Sequence, residues 1–162
     1  VWSLSRMRIT AWRIVKAKHK KRAFDGEGAR IAGGRWNKIG TPMIYTADSL
    51  ALAALEIIVH LPDKDLFNKI FFRIPVRFDS AIVTSMESSR LPRDWASLPP
   101  AESTQILGTQ WSLEKKSTVL KVPSTIIREE CNFLINPNHP DFEKISVGSP
   151  ARFTIDPRIK IA

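Results

Sequence analysis

Cysteine is almost absent from this 162-residue chain, in which Cys131 stands alone. A single cysteine cannot form an internal disulfide, so the sequence predicts a structural thiol in a reducing compartment, the cytoplasm. Long apolar runs are absent too, and none reaches the roughly 18 residues that a membrane span requires. No signal segment follows Met7, a plausible natural start, so we expect residues 1–6 to be extra and the protein to have no membrane association.

Several sequence signatures of catalysis and metal binding are missing as well. No set of histidines and cysteines accompanies Cys131, and no Ser–His–Asp spacing is discernible, so the sequence predicts neither a metal site nor a serine nucleophile. The glycines match neither the GxxxxGK[ST] phosphate loop nor the GxGxxG dinucleotide fingerprint. Because there is no internal repeat and no linker, the length predicts one domain over residues 1–162.

Positive charge is abundant and unevenly spread. The formal net charge is +9, and a dense basic run occupies residues 16–22. Such a run suits either nucleic-acid phosphates or a small anion or acidic protein partner. It contains no aromatic residue on which a base could stack, so direct nucleic-acid binding is the less favoured interpretation.

The order of the predicted elements is typical of the α+β class. Alternating apolar residues predict a half-buried strand over residues 69–78, and Pro75 on its outer phase indicates an edge strand or a bulge. Further strands are predicted over 8–16, 43–47, 81–84, 118–122, 126–135 and 151–155, and helices over 48–60 and 100–116. These elements do not follow the βαβ rhythm of a parallel α/β sheet.

Glu56 stands in the middle of a predicted helix, residues 48–60, that is otherwise almost entirely apolar. Asp48 and Ser49 are both candidate N-caps, and apolar residues on every face predict a helix that is packed on all sides. Burying a carboxylate there costs several kcal/mol unless it is paired or hydrogen-bonded. Glu56 is therefore expected to form a buried ion pair or to face a cleft, unless it reaches solvent at the helix rim.

The segment upstream of this helix combines glycine, arginine and aromatic residues. Five of the seven glycines lie between Gly26 and Gly40. Glycine lets the backbone approach a ligand, arginine offers rigid donor forks for phosphate or carboxylate, and an aromatic ring offers a flat stacking surface. The segment thus suits a phosphate-bearing ligand with a ring. The alternative is a glycine-rich hairpin with surface arginines.

Specific blocks of the sequence resemble the RES domain, a family named for its arginine, glutamate and serine. The blocks are Trp12-Arg13-Ile14, Gly26-Glu27-Gly28-Ala29-Arg30, Gly33-Gly34-Arg35-Trp36-Asn37, Gly40-Thr41-Pro42, Ile44-Tyr45-Thr46-Ala47, residues 51–56, Val122-Pro123-Ser124 and residues 132–140. They occur in the expected order, and the resemblance runs from about Trp12 to Phe153.

The resemblance implies a fold, an activity and a partner. RES proteins are similar to ADP-ribosyltransferases, with mixed and antiparallel sheets around an NAD cleft and flanking helices. The implied function is that of a toxin from a bacterial toxin–antitoxin pair, which degrades NAD by phosphorolysis to nicotinamide and ADP-ribose-1″-phosphate. NAD is then a substrate and inorganic phosphate a co-substrate, with no cofactor. The implied partner is an Xre-type antitoxin, through which DNA would be bound, and the toxin could form a homodimer.

Two other functions stay open at this point. Some members of the family are described as transferring ADP-ribose to a protein, so mono-ADP-ribosylation of a protein target is the first alternative. The second is a non-enzymatic nucleic-acid-binding module, which rests on the positive charge alone.

The resemblance also implies roles for individual residues. Glu56 would stabilise the positive charge that grows on the ribose as nicotinamide leaves. Arg35 is the first candidate for contacting the pyrophosphate and the attacking phosphate, and Arg13 and Arg30 follow it. Tyr45 would pack against nicotinamide or ribose.

The serine of the site is assigned to Ser124, whose hydroxyl would meet a bound phosphate or ribose at the end of a strand. The alternative is that this hydroxyl only closes a turn. Ser103 is the reserve candidate. Structural roles are expected for His139 in a rigid turn, for His60 at a helix C-terminus and for Trp36 in the core.

Overall fold

The computed structural model describes residues 6–159. Of residues 1–6, which are expected to be extra, all but Arg6 lie outside the described residues. Its helices are α1 (Glu27–Ala32), α2 (Leu50–His60), α3 (Asp63–Asn68) and α4 (Glu102–Glu114). Its strands are β1 (Arg8–Lys16), β2 (Ile44–Ala47), β3 (Phe71–Asp79), β4 (Val83–Ser85), β5 (Val119–Pro123), β6 (Cys131–Ile135), β7 (Ser146–Val147) and β8 (Ala151–Phe153). Within residues 6–159, the helices are all too short or too polar to span a membrane.

One eight-stranded mixed sheet organises the fold. The strand order is β4-β5-β6-β2-β1-β3-β7, and β8 also pairs with β3. Strands β4 and β5 run parallel, whereas the other pairs are antiparallel. The predicted α+β class is confirmed, and the sheets that the resemblance implied are joined in a single sheet.

Apolar side chains pack on both faces of this sheet. Phe133 and Ile135 point to one face, whereas Leu134, between them in β6, points to the other. On the Leu134 face the sheet packs against Trp36 and against Trp111 of α4. Trp36 is only 3% exposed, which confirms its predicted place in the core.

Strand β3 is not an edge strand, so of the edge or bulge that Pro75 indicated the edge is wrong. The bulge is supported, because residues 74–75 of β3 face the three residues 148–150 between β7 and β8. On one side β3 pairs with β1 along its full length. On the other side β8 pairs with residues 71–73 and β7 with residues 76–77. Pro75 falls between these two short pairings, so its missing N–H interrupts no ladder hydrogen bond there.

Helix α2 begins at Leu50, and Ser49 is its N-cap, because the Ser49 Oγ accepts a hydrogen bond from the Leu52 N–H at 3.0 Å. The prediction that α2 is packed on all sides is wrong. Leu52 and Ala53 are buried, whereas Val59 is 58% exposed. The helix lies against β1 and β2, so the side facing away from the sheet meets solvent in spite of its apolar sequence.

Most of the basic run forms a 3-10 helix, Ala17–Arg22. At its start Lys16 forms an ion pair of 3.1 Å with Asp65. Within it the Lys20 ammonium lies 4.3 Å from the centroid of the Phe72 ring. Part of this charge is therefore paired or used to cover apolar surface.

The close approach of α4 to the Trp36 backbone depends on Gly108. A Cβ at Gly108 would lie 1.9 Å from the Trp36 carbonyl oxygen, whereas a Cβ at Gly28 in α1 would meet nothing within 4 Å. We expect Gly108→Ala to lower the free energy of unfolding by about 1–3 kcal/mol or more. The matched Gly28→Ala variant should be unchanged or gain about 0.5–1 kcal/mol. Urea titration measures both, and equal stabilities would contradict this packing.

Candidate active site

Arg35, Tyr45 and Glu56 come from three parts of the chain and share one electrostatic environment. Arg35 lies in a tight turn whose ends, Gly34 and Asn37, form a β-bridge. Tyr45 lies in β2 and Glu56 in α2. Burial lowers the pKa of Arg35, and the negative charge of Glu56 opposes this shift. The Tyr45 hydroxyl contacts the turn that carries Arg35, and Glu56 lies near enough for its charge to act on the Arg35 guanidinium.

The Glu56 carboxylate is half-buried and has a neighbour at each oxygen. Its side chain is 30% exposed, and the His60 Nδ1 lies 3.8 Å from Oε2. The Asn132 Nδ2 donates to Oε1 at 3.3 Å. Burial raises the pKa of Glu56, whereas His60, the hydrogen bond from Asn132 and the charge of Arg35 lower it. This partial exposure favours a carboxylate that is open to a ligand over a fully buried ion pair.

The Arg35 guanidinium is held by a loop that lies far away in the sequence. Its Nη1 donates to the main-chain oxygens of Trp95 and Ser97, at 2.9 Å in each case. The Trp95 ring is in turn covered by the Arg128 guanidinium, 4.9 Å from the ring centroid. Because the loop engages Nη1, the remaining N–H groups of the Arg35 fork can donate to an anion.

The Tyr45 hydroxyl supports the turn that carries Arg35. It donates to the Asn37 Oδ1 at 2.6 Å and accepts from the Trp36 N–H at 3.0 Å. Burial raises the pKa of Tyr45, so the phenol stays protonated. A Cβ at Gly34 would lie 2.6 Å from the Tyr45 hydroxyl, so the turn needs glycine there. The Tyr45 hydroxyl therefore holds the Arg35 turn in place through its hydrogen bonds to Trp36 and Asn37.

A Tyr45→Phe variant tests this support. It would leave the buried Asn37 Oδ1 and the Trp36 N–H without their partner, so we expect the free energy of unfolding to fall by about 1–3 kcal/mol. The ring stays in place, so the fold should be retained. Chemical denaturation checks the value, and a variant as stable as the unmodified protein would show that the hydroxyl does not support the turn.

Arg13 lies beside Tyr45, and its guanidinium is more deeply buried than that of Arg35. Its Nη1 donates to the Tyr45 main-chain oxygen at 2.8 Å. Its Nε is buried and makes no hydrogen bond with any group in the described part of the chain. Burial lowers the pKa of Arg13 to about 10, and the charge of Asp25 opposes this shift. An enclosed guanidinium with an unused N–H donor is suited to binding an anion.

Arg30 makes no contact with Arg35, Tyr45 or Glu56 among those described above. It lies near the end of α1, where its side chain is 44% exposed and forms an ion pair with Glu27. The hydrogen bond from Arg30 to Glu27 raises the pKa of Arg30. A contact between Arg30 and a ligand requires release of Glu27, and this role stays a prediction.

Ser124 lies in the core and not at an open site. Its side chain is fully buried, and its Oγ accepts from the Ile126 N–H at 3.0 Å and from the Ile127 N–H at 3.1 Å. This is the turn that the sequence offered as the alternative, and in this arrangement the hydroxyl cannot reach a ligand. The two isoleucines pack against the start of α2, and a role of Ser124 at the site stays a prediction.

Ser103, the reserve candidate, is tied to the loop that holds Arg35. Its Oγ donates to the Asp94 carboxylate at 2.6 Å, one residue before Trp95. This hydrogen bond anchors the loop to the first turn of α4. The geometry therefore gives Ser103 a supporting contact at the loop and no contact with Glu56.

The sequence did not predict three contacts at the site. They join Asn132 to Glu56, Trp95 to Arg35, and Arg128 to the Trp95 ring. Each joins residues that are far apart in the sequence, and local patterning carries no information about such pairs. The one available signal was Asn132 itself, a polar residue in the otherwise apolar strand β6. Its register partner in β2 is Ala47, two residues beyond Tyr45.

The remaining candidates have structural surroundings, as predicted. The His139 Nδ1 accepts from the Asp141 N–H at 3.0 Å and its Nε2 donates to the Lys115 oxygen at 3.1 Å, so the ring closes a turn. The His60 Nδ1 lies 2.6 Å from the Glu56 main-chain oxygen in the last turn of α2. Burial raises the pKa of Cys131 to about 12, which keeps the thiol protonated. Over residues 6–159, no three potential metal ligands converge.

Comparison with known proteins identifies the family. The model of the RES domain matches residues 10–156. A protein of Sphingobium sp. (strain YBL2) named "Prs ADP-ribosylating toxin" is 37% identical over 159 residues, covering 94% of this chain and 98% of that protein. "Toxin Res" of Yersinia enterocolitica is 35% identical over 150 residues, covering 92% of this chain and 98% of that protein.

A solved structure has the same fold. A chain of the M. tuberculosis MbcT–MbcA toxin–antitoxin complex superposes with a TM-score of 0.72 at 18% sequence identity, covering 92% of this chain and 86% of that chain. Together with the family match over residues 10–156, the fold and the relatives lead to one conclusion. The chain belongs to the RES domain family.

Proposed function

We propose that this protein is the toxin of a toxin–antitoxin pair and that it breaks the nicotinamide–ribose bond of NAD in the cytoplasm. The observation that carries the proposal is the half-buried Glu56 carboxylate, held by a hydrogen bond from Asn132, near the Arg35 turn that the Tyr45 hydroxyl supports. Membership of the RES family and the toxin names of its relatives support the biological role.

Glu56 supplies the charge that this bond cleavage requires. As nicotinamide leaves, the ribose acquires oxocarbenium character, and a fixed carboxylate nearby stabilises the positive charge. Half-burial strengthens this effect, because a charge acts more strongly where water is partly excluded. Glu56 must be ionised to act, so activity should be lost as the pH falls through its raised pKa.

Arg35 and Arg13 provide the positive charge that would bind the negatively charged phosphate groups of the substrates. Arg35 keeps part of its donor fork available, and Arg13 keeps an enclosed Nε–H without an acceptor among the described residues. Such donors suit the NAD pyrophosphate and an attacking inorganic phosphate. We therefore propose phosphorolysis: the bond from the ribose C1″ to nicotinamide breaks, a bond from C1″ to a phosphate oxygen forms, and the products are nicotinamide and ADP-ribose-1″-phosphate.

Transfer of ADP-ribose to a protein is the second candidate. It is favoured by one observation, the name "Prs ADP-ribosylating toxin" of the Sphingobium relative, which is 37% identical to this chain. The bond that breaks and the role of Glu56 are the same in both reactions. Only the acceptor differs, and a protein nucleophile then takes the place of phosphate.

An antitoxin is the proposed protein partner. A structural neighbour was solved as a toxin–antitoxin complex, and this chain carries a net charge of +9, which suits an acidic partner surface. We propose that the antitoxin is of the Xre type and that it, not this chain, contacts DNA. A homodimer of the toxin belongs to the same proposal and is tested by the mass of the purified protein in solution.

Product analysis decides between the acceptors. NAD labelled in the adenylate moiety is incubated with the purified chain, with and without phosphate, and then with cell lysate. Phosphorolysis predicts loss of NAD that depends on phosphate and a new sugar-phosphate signal in the phosphorus NMR spectrum. Label attached to a protein band would favour transfer instead. Loss of NAD that is equal with and without phosphate, and no labelled protein, would contradict both.

A further inference from the structure

We propose that Asn132 is a positioning residue, whose side-chain amide holds the Glu56 carboxylate in its ionised form and in a fixed direction. This inference deepens the proposed function and rests on it. Asn132 lies in β6 and Glu56 in α2, and the hydrogen bond between them links the sheet directly to the proposed catalytic carboxylate.

The orientation of the Asn132 amide is set by two acceptors. Its Nδ2 donates to the Thr46 main-chain oxygen and to the Glu56 Oε1, at 3.3 Å in each case. Turning the amide over would place its oxygen against two other oxygens, so the N–H₂ end must face Glu56. The contact with Thr46 belongs to the neighbouring strand β2, which makes Asn132 a donor anchored on the rigid sheet.

The other groups around Glu56 cannot replace this donor. His60, on the same helix, lies 3.8 Å away with its side chain 72% exposed, so water screens the pair. Arg35 acts through its charge while its Nη1 is bound to the loop at Trp95. From β1, the side chains that pack with the start of α2 are Trp12 and Ile14, which are apolar.

The variant Asn132→Asp tests the inference with almost no change in shape. It replaces the donor N–H₂ by a second carboxylate oxygen, and a like charge raises the pKa of its neighbour. Because Glu56 acts when ionised, the acidic limb of the kcat/KM profile should move to higher pH, by about one unit or more. Asn132→Ala only removes the donor, so it should move the limb less, in the same direction.

Asn138→Asp is the matched control. It makes the same chemical change at an exposed position in the turn after β6. The acidic limb of its kcat/KM profile should coincide with that of the unmodified protein. A merely structural role for Asn132 would lower activity equally at all pH values and would not move the limb. Circular dichroism establishes that each variant is folded, and Asn132→Ala carries the test if Asn132→Asp does not fold.

Carbon-13 NMR titration of the Glu56 carboxyl gives a readout that does not depend on activity. We expect its midpoint to rise in Asn132→Asp relative to the unmodified protein and to stay in place in Asn138→Asp. If the midpoint rises while no variant, nor the unmodified protein, consumes NAD, the positioning role stands and the proposed function fails. If neither the midpoint nor the acidic limb moves in folded Asn132→Asp and Asn132→Ala, the inference is overturned.

Discussion

Glu56→Gln is expected to lower kcat for nicotinamide release from NAD by about 100-fold or more, because one preorganised electrostatic contact to a transition state is typically worth about 10²–10³. The substitution keeps the size of the side chain and removes its charge. It also removes a carboxylate whose pKa is raised by burial, so the folded protein should not be weakened. Steady-state kinetics measures kcat, and circular dichroism establishes the fold.

The control for this variant is Glu114→Gln at the end of α4. Glu114 pairs with Lys116 at 2.8 Å on the surface, with its side chain 39% exposed, and makes none of the contacts described at the site. The same chemical change there should leave kcat unaltered. A folded Glu56→Gln protein with full activity would remove Glu56 from the mechanism and with it the central step of the proposal.

Arg35→Lys is expected to have the second largest effect, a fall in kcat/KM of at least about 10-fold, with a greater fall for Arg35→Ala. Lysine keeps the positive charge but lacks the planar fork that can bind loop and anion together. In the structure this fork already binds two carbonyl oxygens of the loop, at Trp95 and Ser97. A lysine cannot hold the loop in the same way and still present directed donors to pyrophosphate.

Arg77→Lys provides the comparison for this prediction. Arg77 is exposed on β3 and belongs to no contact at the site, so its replacement should leave kcat/KM unaltered. Measuring kcat and KM separately shows whether Arg35 binds NAD in the ground state or stabilises the transition state. A loss confined to KM indicates binding of NAD in the ground state, whereas a loss in kcat indicates the transition state. An Arg35→Lys variant with unchanged kcat and KM would contradict the assigned role.

The fold could be predicted where the local pattern was clear. Strand β1 and helix α4 lie within about two residues of their predicted positions, because their periodicity and flanking residues are local properties. The packing of α2 was mispredicted, because composition does not reveal which side of a helix the sheet will cover. The edge position indicated by Pro75 was wrong for a similar reason, since the pairing of β3 with β7 and β8 depends on a segment some 70 residues further along the chain.

The site could be predicted in part. Glu56 was singled out as a charge in an apolar helix, and the resemblance placed Arg35 and Tyr45 beside it. The structure places Glu56 near the Arg35 turn that the Tyr45 hydroxyl supports, and Ser124 in the core. The partners that hold them, such as Asn132 for Glu56 and Trp95 for Arg35, lie 76 and 60 residues away in the sequence. No local pattern encodes contacts of that range.

The most direct test is the release of nicotinamide from NAD by the purified, folded chain in phosphate buffer, after removal of any bound antitoxin. The proposal predicts that nicotinamide accumulates in step with the loss of NAD and that the product carries a new sugar-phosphate group. Intact NAD after prolonged incubation with folded, antitoxin-free protein would contradict it, and the family fold would then serve a different function in this chain.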